Sequence, residues 1–136
     1  MDKKIIIFTD GGARGNPGHA AIGAVVGDQK YREYIGETTN NVAEYKAVIF
    51  ALKKVLQKFG KNKSKELILE INVDSELLYK QMRGEYRVKD ANLKILSTEV
   101  RNLITDFREV NFNHVRREKN KEADKLVNEE LDSRLP

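Results

Sequence analysis

Residues 9–18 read TDGGARGNPG and lie between two short apolar runs. Residues 5–8 (IIIF) before them have the pattern of a buried strand, and residues 20–26 (AAIGAVV) after them have the pattern of a second strand. Asp10 therefore stands where a buried strand ends. Four glycines among the next eight residues let the backbone turn sharply and let a ligand approach the main chain closely. The stretch is either a hairpin loop with a capping aspartate or a ligand site at the end of a strand.

The composition fits one domain spanning residues 1–136, which is long enough to bury a single core. The chain has no cysteine, so it has no disulfide framework, thiolate metal site or cysteine nucleophile. No apolar run approaches the ~20 residues that span a bilayer, and the start has no signal-peptide pattern. We therefore expect a cytoplasmic protein with no membrane partner. The formal net charge of +4 favours a polyanionic partner.

Apolar periodicity divides the chain into strands and helices. The predicted strands cover residues 3–9, 20–27, 31–38, 67–73 and 110–114. The predicted helices cover residues 41–59, residues 75–83, a segment capped by Asp90 whose apolar stripe reaches Phe107, and residues 120–131. Short links join the first three strands into an antiparallel meander, whereas the fourth strand follows a helical crossover and should lie parallel to its neighbour. The order βββαβααβα predicts an α/β fold with a mixed sheet and helices packed on its faces.

Four carboxylates occupy positions where an acid is unexpected. Asp10 and Asp74 each end an apolar strand, and both lie at one sheet edge if those strands are adjacent and parallel. Glu44 and Asp124 each head the apolar stripe of a helix, so both acids point toward the sheet. Two simpler interpretations stay open at this point. Glu44 could form a capping box with Asn41, and Asp124 could be favoured by the helix N-terminus.

Converging carboxylates repel one another and should not stay unpaired in a partly buried site. Oxygen ligands without a cysteine or histidine pattern suit a hard cation such as Mg²⁺ or Mn²⁺. Two such ions about 3.5–4 Å apart can activate a water and stabilise the leaving oxygen in a phosphoryl displacement. That chemistry needs no nucleophilic side chain, so the absence of cysteine does not count against it.

Four segments resemble type 1 ribonuclease H, namely TDGGARGNPG at residues 9–18, TTNNVAEY at 38–45, VDSE at 73–76 and REKNKEAD at 117–124. The resemblance runs through nearly the whole chain. It implies a ribonuclease H-like mixed five-stranded sheet, with three antiparallel strands followed by two parallel ones and helices on both faces. It also implies two Mg²⁺ ions per site, for which Mn²⁺ can substitute, held by the catalytic acids Asp10, Glu44, Asp74 and Asp124.

The resemblance further implies hydrolysis of the RNA strand of an RNA–DNA hybrid, with 5′-phosphate and 3′-hydroxyl ends. The implied substrate-binding residues are Gly11, Gly12, Ala13, Gly15, Asn16, Thr39, Asn40, Asn41 and Glu76. The backbone of the first three would meet the 2′-hydroxyl groups that distinguish RNA. Thr39 and Asn40 match a pocket for a DNA-strand phosphate, while Asn16 and Asn41 would lie in the minor groove. Recognition should be of shape and backbone rather than of base sequence.

The chain departs from the family pattern near its last helix. Many members carry a histidine in a loop there, but residues 116–119 read RREK. His114 falls in the alternating pattern of the last strand, so we predict a structural role for it. Arg116 or Arg117 would then serve near the scissile phosphate. The chain also lacks tryptophan, a protruding basic helix and a separate hybrid-binding domain, so hybrid affinity should be modest and salt-sensitive.

We therefore predict a monomeric, metal-dependent endoribonuclease that acts on RNA–DNA hybrids. The alternative is a catalytically weak nucleic-acid-binding module on the same fold, and the four intact acids argue against it. A phosphotransferase of the wider superfamily would need a nucleotide-binding domain that 136 residues cannot supply.

Overall fold

The alternating apolar segments form one mixed sheet. The computed structural model describes residues 3–134 and orders the strands β3-β2-β1-β4-β5. The strands are β1 (Lys3–Arg14), β2 (Gly18–Val26), β3 (Gln29–Thr38), β4 (Leu67–Val73) and β5 (Glu109–His114). The first three are antiparallel, β4 is parallel to β1, and β5 is parallel to β4. The predicted α/β fold, with a meander followed by parallel strands, is confirmed.

Four helices connect and cover the strands. They are α1 (Asn40–Ser64), α2 (Glu76–Met82), α3 (Ala91–Ile104) and α4 (Lys121–Asp132), with a 3₁₀ turn at Arg117–Lys119 before α4. The predicted caps Ser75 and Asp90 are confirmed, because each side chain accepts the backbone N–H three residues further on. These caps fix where α2 and α3 begin.

The first helix differs from the prediction at both ends. It begins at Asn40 because the Thr39 hydroxyl accepts the N–H of Val42 at 3.2 Å. Thr39 is therefore the N-cap, and the alternative capping box between Asn41 and Glu44 is not formed. Gly60 has a φ of 78°, as expected of a residue that ends a helix. The chain then makes a further helical turn that ends at Ser64, beyond the predicted end at residue 59.

The first strand is longer than predicted. It continues through the glycines to Arg14, and residues 10–14 pair with β2, whereas pairing with β4 stops at Phe8. The hairpin interpretation therefore holds only for the turn after Arg14, and Asp10 lies inside a strand. Glycine disfavours strands by its entropy but does not forbid them, and the neighbouring strand supplies the missing stabilisation. Beyond Phe8, the β4 side of β1 is an open edge.

The core lies on one face of the sheet, beneath α1 and α3. Fully buried side chains such as Ile7, Leu52 and Ile71 pack there together with Val100. The opposite face carries α4, which packs a smaller apolar cluster against β2. Helices therefore cover both faces, as predicted. No helix within residues 3–134 combines the length and the hydropathy that a membrane span requires.

We expect Gly23→Ala to destabilise the protein by about 1–3 kcal/mol, the usual range for overpacking. A Cβ at Gly23 would lie 2.4 Å from the carbonyl oxygen of Ala123, so α4 would have to move away from β2. Gly12→Ala is the matched control, since its Cβ would come no closer than 3.7 Å to Val127. Denaturant unfolding in chelator measures both. Equal stability of the two variants would contradict the close packing of α4.

Candidate active site

Three carboxylates from three elements meet at the carboxyl edge of the sheet. Asp10 lies on β1 beyond the last pairing with β4, Asp74 directly follows β4, and Glu44 lies near the start of α1. One oxygen from each carboxylate lies within 4.8 Å of the other two. Asp10 and Glu44 are only 7% and 8% exposed, and Asp74 is half-buried. The structure thus brings together three of the four acids that the sequence singled out.

Gly11 determines how closely Glu44 approaches Asp10. A Cβ on Gly11 would lie 2.3 Å from the carbonyl carbon and oxygen of Ala43, far inside van der Waals contact. Only glycine therefore lets the main chain of β1 touch the main chain of α1. The backbone of Gly11 also hydrogen-bonds to the carboxylates of Asp10 and Glu44, which partly offsets their crowding.

Burial and mutual repulsion raise the pKa values of Asp10 and Glu44 in the absence of metal. Burial, followed by the charge of Asp74, raises the pKa of Asp10 from its usual 3.8 to about 7. Burial, followed by the charge of Asp10, raises the pKa of Glu44 well above its usual value. A hydrogen bond between the two carboxyl groups favours the charged form of Asp10 and the protonated form of Glu44, so Glu44 is the donor.

The donor set fits a hard cation. All three side chains supply carboxylate oxygens, which are the ligands that Mg²⁺ and Mn²⁺ prefer. Oε2 of Glu44 is buried and has no hydrogen-bond partner among the described residues. A buried oxygen without a partner is costly, and a divalent cation would both satisfy it and neutralise the repulsion between the acids.

A cavity of about 510 Å³ opens over the three acids. Asp124 lines this cavity from the first turn of α4 but is exposed and lies outside the close group of three. The other sequence-predicted residues on its wall are Gly11, Gly12, Ala13, Asn40, Asn41, Glu76 and Arg117. Those that do not line it are Gly15, Asn16, Thr39 and Arg116.

A chain of hydrogen bonds ties the glycine-rich turn to the start of α1. Oδ1 of Asn16 accepts the N–H of Asn40 at 3.0 Å, and Oδ1 of Asn40 accepts the N–H of Ala13 at 2.8 Å. Asn16 therefore positions one wall of the cavity without lining it. Thr39 caps the same end of α1. Thr39, Asn16 and Asn40 therefore stabilise the start of this helix independently of any ligand.

His114 and the two arginines take different positions. His114 ends β5 as predicted, its ring stacks on Tyr79, and its Nε2 lies 3.3 Å from the carbonyl oxygen of Asp74. Arg117 lines the cavity, while the side chain of Arg116 is 87% exposed and lies 4.0 Å from Glu118. Of the two arginines, only Arg117 is placed toward the acids.

Sequence reasoning missed several residues at the site. Asn120 is buried, and its amide donates to Oδ2 of Asp74 and to the carbonyl oxygen of Thr9. Arg14, Ser75 and Asn128 also line the cavity. Asn120 lies inside the motif REKNKEAD, but the motif gives no indication of the direction of its side chain.

Comparison with known proteins identifies the family. A family model described as reverse transcriptase-like matches residues 8–130. The crystal structure of LC11-RNase H1 in complex with an RNA/DNA hybrid superposes with a TM-score of 0.91 at 45% identity, over 97% of this chain and 99% of that one. The chain belongs to the ribonuclease H type 1 family.

Other family members agree in fold. The N-terminal RNase H domain of Rv2228c from Mycobacterium tuberculosis superposes with a TM-score of 0.86 at 34% identity, over 97% of this chain and 96% of that one. RNase H1 from Halobacterium salinarum superposes with a TM-score of 0.86 at 38% identity, over 96% of this chain and 98% of that one. The chain spans 36% of the length of the full-length bifunctional protein Rv2228c, with 37% identity over 96% of this chain. It spans 65% of the length of the full-length ribonuclease HI of H. salinarum, with 38% identity over 95% of this chain. The likeness thus covers the ribonuclease H portion of these longer proteins.

Removing one buried charge from this group of acids should stabilise the metal-free protein. We expect Asp10→Asn in chelator at neutral pH to melt at the same or a higher temperature than wild type. A like-charge pair at 4 Å costs about 1 kcal/mol in water and about 4 kcal/mol at an effective dielectric of 20. A gain of about 1 kcal/mol corresponds to a few degrees in Tm for a domain of this size.

The same variant has a defined pH dependence. The folded-state pKa of Asp10 lies above its unfolded value, so the folded protein binds more protons than the unfolded chain from about pH 4 to about pH 7. Wild-type stability in chelator therefore falls as pH rises through this window, and the advantage of Asp10→Asn grows with it. Added Mg²⁺ should shrink the advantage, because metal stabilises the wild-type site by mass action. A clearly lower melting temperature for Asp10→Asn in chelator would contradict the crowded-carboxylate interpretation.

Proposed function

We propose that the protein is a metal-dependent endoribonuclease that hydrolyses the RNA strand of RNA–DNA hybrids. The observation that carries the proposal is the close group of Asp10, Glu44 and Asp74 in an open cavity of a ribonuclease H fold. A family member of 45% identity has been crystallised with an RNA/DNA hybrid, which supports the same substrate class here. Asp10, Glu44, Asp74 and Asp124 are the proposed catalytic acids.

The close group of acids would hold the metal ions, and Asp124 would complete the site from its rim. Two Mg²⁺ or Mn²⁺ ions, when bound, supply an activated water and charge stabilisation at the leaving oxygen, which gives 5′-phosphate and 3′-hydroxyl ends. The contribution of the chain is to fix the acids before the substrate arrives. Asp10 is fixed within β1 just beyond its last pairing with β4, Asp74 directly follows β4, and Glu44 is fixed by the contact of α1 with Gly11.

The acids must also release protons to hold a cation. The raised pKa values of Asp10 and Glu44 favour the protonated forms of these acids in the metal-free site. Metal binding therefore releases protons and weakens at low pH. At neutral pH, a cation can therefore bind the ionised acids only as Asp10 and Glu44 lose their protons.

The open edge of β1 offers backbone groups to the 2′-hydroxyls of RNA. Along an antiparallel strand, the N–H and C=O of alternate residues point to the same side. On the open side, the N–H of Gly11 donates to the carboxylates, and the N–H of Ala13 donates to Asn40. The carbonyl oxygen of Thr9 accepts from the amide of Asn120. The carbonyl oxygens of Gly11 and Ala13 face the same way and would accept hydrogen bonds that only RNA can donate.

The start of α1 would hold a phosphate of the DNA strand. Thr39 and Asn40 stand at a helix N-terminus, where the helix dipole favours anions. Asn41 and Glu76 would meet the minor groove from the cavity wall, beside the turn held by Gly15 and Asn16. Arg117 is the auxiliary cation that we favour near the scissile phosphate, because it lines the cavity and Arg116 does not.

A cleavage assay tests the proposal. It compares labelled hybrid, double-stranded RNA, single-stranded RNA and DNA duplex, each with Mg²⁺, Mn²⁺ or chelator. We expect cleavage within the RNA strand of the hybrid and no cleavage of DNA duplex, since DNA lacks the 2′-hydroxyl. Chelator should stop the reaction, and Asp10→Asn is the matched inactive control. Equal cleavage of DNA duplex would remove the hybrid specificity. Hybrid binding without cleavage would favour the nucleic-acid-binding module instead.

We expect His114→Ala to keep hybrid cleavage within about tenfold of wild type. Its ring packs on Tyr79 and its Nε2 lies 3.3 Å from the backbone oxygen of Asp74, contacts that give it a structural part at the end of β5. A general acid or base typically contributes about 10²–10⁴-fold. Steady-state kinetics on the folded variant provide the measurement, and a thousandfold loss with an unchanged circular dichroism spectrum would make the histidine catalytic.

A further inference from the structure

Asn120 joins three pieces of the site. The residue is 1% exposed and stands between the 3₁₀ turn and α4. Its side-chain amide donates to the carbonyl oxygen of Thr9 and to Oδ2 of Asp74, each at 2.9 Å. Its backbone carbonyl accepts the N–H of Asp124 at 3.1 Å. A single residue thus connects the edge of β1, the acid after β4 and the helix that carries the fourth acid.

The side chain of Asn120 does not perform the usual task of an asparagine at a helix start. An asparagine at an N-cap ordinarily accepts a backbone N–H of the first turn. Thr39, Ser75 and Asp90 do this in the other helices, from extended backbone. Asn120 has a φ of −120° and a ψ of 29°, and its side chain makes no cap hydrogen bond. Its amide is directed into the site instead of onto its own helix.

Packing alone does not account for an asparagine at this position. Oδ1 of Asn120 is buried with no hydrogen-bond partner among the described residues, and an atom left in that state is destabilising. An apolar side chain of similar size would fill the space without that penalty. It could donate neither to the carbonyl oxygen of Thr9 nor to Asp74, however, and of these two donations the one to Asp74 reaches a carboxylate of the site.

We propose that Asn120 is a positioning residue, which orients Asp74 for metal binding and sets the approach of Asp124 to the other acids. Its hydrogen bond fixes Oδ2 of Asp74 and leaves the other oxygen for a cation. Partners that orient a ligating carboxylate typically contribute about 10–100-fold to metal affinity or activity. The inference rests on the proposed function, because it concerns the same metal site.

Asn120→Ser is the informative variant. Serine is a favoured N-cap, so α4 should keep its start, but its hydroxyl is too short to replace the amide at Asp74. By titration calorimetry of the intact protein, we expect Mn²⁺ and Mg²⁺ affinity to fall about 10–100-fold. The kcat for hybrid cleavage should fall with it, whereas KM for the hybrid should change by less than about threefold, because the proposed hybrid contacts lie elsewhere.

Asn72→Ala is the matched control. The amide of Asn72 donates to the carbonyl oxygen of Ile7 at 3.1 Å, two residues before Thr9 on the same strand, and this hydrogen bond involves no carboxylate. This variant loses a comparable bond to β1 and should stay within about threefold of wild type in metal affinity and kcat. An equal loss in Asn72→Ala would attribute the effect to general loosening of β1 and overturn the proposal, as would wild-type metal affinity and kcat in Asn120→Ser.

The wild-type protein gives a test that does not depend on any variant folding. The side-chain amide resonances of Asn120 should shift during an Mg²⁺ titration, and those of Asn72 should not. Unmoved Asn120 resonances at an Mg²⁺ concentration that saturates the protein would overturn the proposal. Calorimetry and resonance shifts need no hybrid, so a wild-type protein that binds metal without cleaving would contradict the proposed function alone. The metal affinities would still decide the role of Asn120.

Discussion

The main chain of β1 touches the main chain of α1 at Gly11, and the site depends on this contact. Any side chain there would collide with the carbonyl group of Ala43, which lies 2.3 Å from the position of a Cβ. Moving the helix away would carry Glu44 with it and open the group of three carboxylates. The contact is possible because β1 extends past the end of β4 and exposes an unpaired edge there. The fold thus provides a rigid edge, and the glycine provides the approach.

Buried polar atoms without hydrogen-bond partners lie at the same edge. Within residues 3–134, the buried side-chain atoms without a hydrogen-bond partner belong to Thr9, Glu44, Asn120 and the distant Ser64. Three of these four stand beside the carboxylates. Buried atoms of this kind are rare in folded proteins and mark sites where stability is given up for function. Directly below, the fully buried pair Ile7 and Ile71 lies in register on β1 and β4, and its packing offsets the penalty.

The sequence predicts the framework better than it predicts the details of the site. Strand periodicity is a local property, so the meander, the crossover and the position of Asp74 directly after β4 follow from it, whereas Asp10 lies inside β1 and not at its end. Glu44 could be singled out because a charge on an apolar stripe is a local anomaly. The length of β1 could not be predicted, because its glycines are held in strand conformation by β2, a tertiary effect. Asn120 could not be singled out either, since a helix start is an ordinary position for an asparagine.

The distribution of positive charge explains why recognition by this ribonuclease H would rely on shape. Two arginines line the cavity, but the guanidinium of Arg14 lies 2.6 Å from Asp132 and is engaged by an acid of α4. On α2, Lys80 pairs with Glu76, and Arg83 pairs with Glu85 just beyond the helix. These three cations are therefore already partnered, and Arg117 is the arginine of the cavity wall that we favour for a phosphate. In the proposed function, discrimination between RNA and DNA would come from the backbone carbonyls of β1, which would accept from the 2′-hydroxyl whatever the base sequence.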